Sequence, residues 1–406
     1  MKSHGMFRAV SIAVVAGTAI LLSGCGKDIL GSETYETSNS YVENIAKPSA
    51  QIDITSFQFI TNNQGWAVGY KKDERGRKRA MLWETKDSGT TWSARTLSAL
   101  SPEYVHMETA KRGWMIVLSE LGSSTRIKLL ETLDGGRTWN WKQTLKPKSG
   151  LSLEQLVNSI ANSTQMIFNS RGNGWLLIQG DLYRTVASGN AWGRVSQPGN
   201  MFGINEASGR VFAIGIAHIW EWLAGKWDVL YILPAEIQGE FYPHHHIPSY
   251  ELVNRIEFSS SEVGYAMFAQ YGSSMQGQEY LLLRSNDGGR SWNEIGGAFF
   301  NQKRWKVRKL PTGNMLPIDA TSDKRVIVSM SSPFPYPMIG VISPTNEWLW
   351  ICNGLHAPVG WSKGHLKAAQ WIGANTGLVV IQTPTSGDVL LRTNSEWNHW
   401  VNITPQ

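Results

Sequence analysis

Three observations predict an all-β fold built from small repeated sheets. First, short apolar runs of strand length alternate with Gly, Asn, Asp and Ser from Gln51 onward, and no long stretch carries a helical period. Second, two phrases alternate along the chain. One is a Gly or Arg followed by an apolar strand: "GWAVGY" from Gly65, "GWMIVL" from Gly113, "GWLLIQ" from Gly174, "RVFAIG" from Arg210, "GYAMFA" from Gly264, "RVIVSM" from Arg325 and "GLVVIQ" from Gly377. The other is a strand entering a turn that closes on Trp, at Trp92, Trp139, Trp192, Trp227, Trp292, Trp348 and Trp400. Third, the closing tryptophans recur every ~51 residues, which leaves room for four short strands per unit. Seven such units stacked around a ring predict a seven-bladed β-propeller. The 19 Trp residues fit, because one large ring per unit fills the wedge between adjacent sheets.

The N-terminus precedes this pattern. Lys2 and Arg8 lead into an apolar run over residues 9–22, too short to span a bilayer comfortably, and then "LSGC" ends at Cys25. This order resembles the signal peptide and lipobox of bacterial lipoproteins. The resemblance implies cleavage before Cys25, lipidation of Cys25 with palmitate or a similar acyl chain, and attachment to the extracytoplasmic face of the cell membrane. Each buried CH₂ contributes about 0.8 kcal/mol, so two or more chains would hold the protein there. The predicted division is residues 1–24 as signal peptide, 25–50 as lipidated Cys and polar flexible tether, and 51–406 as propeller. Loss of Lys2 and Arg8 leaves 36 basic and 32 acidic side chains, a balance of +4 that gives little attraction for nucleic acid, and no nucleic-acid module is visible. The remaining cysteine, Cys352 in "WLWIC", reads as a buried thiol, so no internal disulfide is expected.

Three turns are nearly identical: "TKDSGTTW" from Thr85, "TLDGGRTW" from Thr132 and "SNDGGRSW" from Ser285. The residues Thr85, Asp87, Gly89 and Trp92, then Thr132, Asp134, Gly136 and Trp139, then Ser285, Asp287, Gly289 and Trp292 resemble the Asp-box, or bacterial neuraminidase repeat. That repeat occurs in sialidases, sortilin-type receptors, some plant-polymer hydrolases and photosystem II assembly-factor-like propellers. Degenerate copies keep the hydroxyl and Trp, as at Thr185 with Trp192 and Thr393 with Trp400. The chemistry favours a structural role: Gly tolerates positive φ, and Asp accepts bonds from the backbone of its own turn. In such propellers the boxes lie away from the face that binds substrates.

Catalytic equipment is sparse. A sialidase needs three clamping arginines, a Tyr–Glu nucleophile pair, an acid Asp and an early Arg-Ile-Pro motif. The stretch after Gln51, "QIDITSFQFITNNQGW", holds no Arg and no such motif. Seven residues before each Gly or Arg landmark stand Gln58, His106, Ile167, Gly203, Glu257, Ile318 and Gln370, a partly polar column on the innermost strands. Glu257, Arg255 and His106 are the catalytic candidates, as an acid–base set lining a central channel; the alternative is an Arg–Glu pair that satisfies itself. His244, His245 and His246 lie in a Pro-rich loop and point in different directions, so they read as a binding loop rather than a metal site. Lys303, Arg304, Lys306, Arg308 and Lys309 surround Trp305, and a second basic cluster spans Lys71 to Arg79; both suit contact with anionic surfaces. No cofactor and no metal are expected. The function expected is a non-enzymatic binding or assembly scaffold for a protein or envelope partner, with carbohydrate binding or glycoside hydrolysis as the alternative.

Overall fold

The computed structural model describes residues 41–43, 51–97, 101–121, 124–146, 151–169, 171–186, 189–241, 254–270, 279–298, 314–315, 318–321, 324–331, 337–345, 348–351, 365–373, 376–383, 387–393 and 399–406. Cys25, His244, His245, His246, Trp305 and Cys352 lie outside these described residues, as does the basic cluster around Trp305.

The described strands form six hydrogen-bonded sheets. Four of them are antiparallel meanders of four consecutive strands, over residues 101–145, 165–194, 201–232 and 255–298. A five-stranded sheet covers 314–351. The nine-stranded sheet joins the meanders 52–96 and 365–402, and adds Tyr41–Glu43 parallel to the outer strand His399–Asn402. The second strand of each meander begins within one residue of its sequence landmark, as in Gly65–Lys72, Gly113–Leu121 and Gly264–Gln270. Those strands read as continuous apolar runs because both faces of each sheet are covered.

The core lies between sheets rather than within them. One cluster packs Trp66, Val68 and Leu82 of the first meander on Val105, Met115 and Val117 of the next. Another packs Phe212 and Ile214 on Ile256, Phe268 and Leu283. The most deeply buried indoles include Trp66 and Trp114 from the Gly-Trp landmarks, both 0% exposed. Among the turn-closing residues, Trp92 and Trp139 are only half-buried while Trp192, Trp292 and Trp400 are buried. The wedge is thus filled mainly by the second strand, which sits closer to the middle of each sheet.

Among the described residues two helices interrupt the strands: α1, Leu153–Ser163, and α2, Ala235–Phe241. Sequence periodicity gives no helix at α1, yet its start is well specified. Ser152 caps the amide of Gln155 while the Gln155 side chain caps that of Ser152, a reciprocal capping box. Leu156 and Ile160, one turn apart, seat it on the cluster between the second and third meanders.

The first and last meanders meet through one backbone bridge, Ile52 with Gly387, and through side chains. Gln370 donates to the Phe59 carbonyl at 2.9 Å and accepts from its amide at 2.8 Å. Trp92 donates to the Ile403 carbonyl at 2.7 Å. Ile52, Ile54 and Trp83 pack against Leu378, Val380 and Leu390. Among the described residues closure thus differs from the contacts between other neighbours, because the first and last meanders share a backbone bridge and Tyr41–Glu43, upstream of the first meander, pairs with the outer strand of the last.

Candidate functional site

The repeated turns saturate their own acids. In each, the first hydroxyl donates to the Asp and accepts the amide of the Gly, at 2.9 and 2.8 Å for Thr85, 2.8 and 2.8 Å for Thr132, and 2.8 and 2.7 Å for Ser285. Thr91, Thr138 and Ser291 each donate both amide and hydroxyl to the same carboxylate. The Thr138 and Thr132 bonds hold Asp134 down to about 2. At Asp287, burial pushes upward, but the Ser291 and Ser285 bonds outweigh it and leave it at about 2 as well. Without the Asp, the copy at Thr185 still takes the Gly189 amide at 3.1 Å.

These turns also latch neighbouring sheets, which the sequence does not announce. The carbonyl just before the turn glycine accepts from the preceding sheet: Ser88 from Arg392 at 3.1 Å, Gly135 from Trp66 at 3.2 Å, Gly288 from Arg210 at 2.6 Å. The glycine itself abuts that sheet. A Cβ on Gly89, Gly136 or Gly289, all near φ +85°, would lie within 3 Å of Ile403, Leu82 or Phe212 respectively.

The inner-strand polar residues form a second set of clasps. Gln58 accepts the Met107 amide at 2.5 Å, Gln165 the Ile204 amide at 2.6 Å, and Asp319 the Trp371 amide at 2.7 Å. Side chains thereby join inner strands that share no backbone ladder with each other among the described residues. The three catalytic candidates take places in this wall. Glu257 accepts from Asn205 at 2.6 Å, while Arg255 donates to the carbonyls of Phe202 and Asn254 at 2.8 and 3.0 Å. Burial raises Glu257 well above the usual carboxylate range, with the Asp319 charge adding to it and Arg255 opposing it. Asp319, which the landmark column misses by one residue, is itself raised to about 7 by burial. His106 stacks on Phe168 with centroids 6.0 Å apart; burial lowers it to about 4, so it is neutral at physiological pH, and no hydrogen bond joins it to Glu257 among the described residues.

A cleft with a different character opens at the other end of the strands. The repeated turns share their end with the loops between first and second strands: Ser88 donates to the Asn63 carbonyl, Gly135 to Lys111 and Gly288 to Glu262. The cleft, about 800 Å³, is lined from the opposite end, by starts of first and third strands and ends of second strands. Three β-bulges converge on it. The pairing register skips Lys367 in the last meander, Thr55 in the first and Glu103 in the second, and all three line the cleft. A bulge re-aims one side chain out of the alternating pattern, and bulges concentrate at binding and active sites.

The electrostatics follow from the bulges. Glu103 is 2% exposed and accepts from Ser101 at 3.1 Å and Tyr70 at 3.4 Å, both on Oε1; Oε2 takes no hydrogen bond among the described residues. Burial raises Glu103 to about 7, with the nearby Asp53 charge assisting. Tyr70, bonded also to Ser101, is raised by burial to about 12. Lys367 bridges Asp53 at 2.9 Å and buried Asp388 at 2.7 Å, and Asp388 also accepts the Ile54 amide at 2.7 Å. Burial would raise Asp53, but Lys367 and Lys78 more than offset it and hold it low; at Asp388 burial prevails and raises the carboxyl. The lining also includes apolar residues, Leu118 and Leu153, Val157 and Ala161 of α1. A depression of about 620 Å³ near Asp181 and Arg194 lacks this character, since its two charges pair with each other at 2.6 Å. No group of three metal-ligating side chains occurs among the described residues, and no helix among them is long and apolar enough to cross a membrane.

No protein-family model matches the sequence, and no curated protein matches it. Solved structures do. An ancestral GH74 enzyme aligns with a TM-score of 0.52 at 12% identity, over 93% of this chain and 49% of its own; the chain spans about half the length of that structure. The β-propeller domain of the Trilobed protease from Pyrococcus furiosus, which has an open velcro topology, aligns with a TM-score of 0.50 at 7% identity, over 88% of this chain and 97% of its own. Likeness at this identity concerns fold alone: the chain is a β-propeller.

Proposed function

We propose that this protein is an exported lipoprotein, tethered through Cys25, whose seven-bladed Asp-box propeller binds an extracytoplasmic partner on the face opposite the box turns. The observation that carries this reading is the convergence of three inner-strand bulges, at Lys367, Thr55 and Glu103, on one cleft of about 800 Å³. Glu103 Oε2 in this cleft takes no hydrogen bond among the described residues. Counting the meanders 52–96 and 365–402 as separate blades within their shared sheet supports the reading of seven blades. The hydroxyl–Asp–Gly bonding of the three turns supports the Asp-box resemblance.

Cys25→Ser should move the protein from membrane to soluble fractions, and affinity capture from envelope extracts should recover a partner only with an intact cleft. Retention in the membrane by the Ser variant would remove the tether from the account. A second reading, glycoside hydrolysis, is favoured by the opposed shifts of Glu103, held near 7, and Asp53, held low, since such pairs divide acid and base roles. It predicts release of reducing ends from envelope glycans by wild type and none by Glu103→Gln.

A further inference from the structure

We infer that the cleft binds a neutral, polyhydroxylated ligand, a saccharide chain lying along its polar wall with ring faces against α1. This deepens the binding role proposed above and rests on it. The charges at the cleft are paired with one another, Lys367 with Asp53 and the adjoining Asp388 and Lys78 with Asp53, while burial holds Glu103 toward its neutral form. A charged ligand would compete with these pairs, and a neutral ligand meets no such penalty.

The cleft offers open valences of both kinds. Glu103 Oε2 has no hydrogen-bond partner among the described residues, on a side chain almost wholly buried, and it accepts when ionised and donates when protonated. Two of the three Lys367 donors go to Asp53 and Asp388, which leaves one. Lys78 bonds Asp53 at 3.3 Å and lies 5.2 Å over the Tyr70 ring, with donors to spare. A hydroxyl group both donates and accepts, so a row of them suits a cleft that offers both acceptors and donors. A sugar ring also has an apolar C–H face. Leu153 stands 50% exposed on α1, unusual for Leu on a helix whose Leu156 and Ile160 are buried, and it supplies that surface.

The site spans the first, second and last meanders, so its ligand also bridges the contact that closes the ring. Binding therefore raises the melting temperature by linkage.

The test titrates full-length protein in detergent with cellohexaose, chitohexaose and maltohexaose, alongside hexagalacturonate and hexalysine as charged arms. At least one neutral hexasaccharide should bind saturably and raise the melting temperature. Glu103→Ala and Leu153→Glu should each weaken it about tenfold or more. Leu153→Glu is the safeguard against misfolding, because that side chain is half exposed and the apo melting temperature should stay unchanged. Failure of all three saccharides, preference for either charged hexamer, or full affinity in Leu153→Glu overturns the inference. A protein partner cross-linked on this face with no saccharide binding would do so too, while leaving the binding role intact.

Discussion

Asp287 and Glu103 show how one functional group takes opposite roles. Asp287 receives three donors from its own turn and is held at about 2. Asp287→Ala orphans those donors and should cost about 1–2 kcal/mol of unfolding free energy by denaturant titration, with ligand binding unchanged. An unaltered midpoint with lost binding would make it a functional residue. Glu103 is raised from 4.5 to about 7 by burial. Its sign follows directly. Below about pH 4.5 both folded and unfolded chains hold the proton; between about 4.5 and 7 only the folded chain does, so this group's stabilising contribution falls as pH rises through that window and is then flat. Wild type should therefore lose more melting temperature between about pH 5 and pH 8 than Glu103→Gln does. Equal losses would mean that the carboxyl is not held in its neutral form.

At the scale of elements, the turn glycine serves two demands that substitution separates. Gly225 sits at φ +89° with open space around it, while Gly289 sits at φ +85° with Phe212 where a Cβ would go. Gly225→Ala should cost about 1 kcal/mol of backbone strain, and Gly289→Ala about 1–3 kcal/mol more from the clash between sheets. Equal costs would remove the latch role. The landmark strands and the turns were legible because they rest on local chemistry: apolar runs, Gly, and Asp flanked by hydroxyls. The clasps and cleft were not. The hairpin before Arg210 is shorter than its counterparts, with Ala207 facing Arg210 where Phe258 faces Gly264, so the landmark column slides and Asn205 rather than Gly203 reaches Glu257. Skipped registers turn Glu103 and Lys367 into the cleft, and a single sequence carries no mark of them. Helix α1 escaped because its inward stripe is only Leu156 and Ile160, flanked by Ser and Asn; its capping box was the available signal.

For the whole molecule, the question is how a ring of laterally packed sheets closes and which face works. Lys367 is central to closure, since it holds one acid from each terminal meander. Lys367→Met leaves Asp388, 2% exposed, without its cation and should cost about 3 kcal/mol. Lys78→Met removes an ion pair whose lysine is 52% exposed and should stay within about 0.5 kcal/mol. Comparable losses would show that closure does not depend on the buried pair. That partners are met on the cleft face, while the repeated turns only hold the sheets, can be tested directly. A photo-crosslinking residue is placed at Leu153 on the cleft rim and, separately, at Arg290 in an exposed repeated turn, in living cells. The account predicts adducts with a protein or glycan from position 153 and none from position 290; adducts from position 290 alone would contradict it.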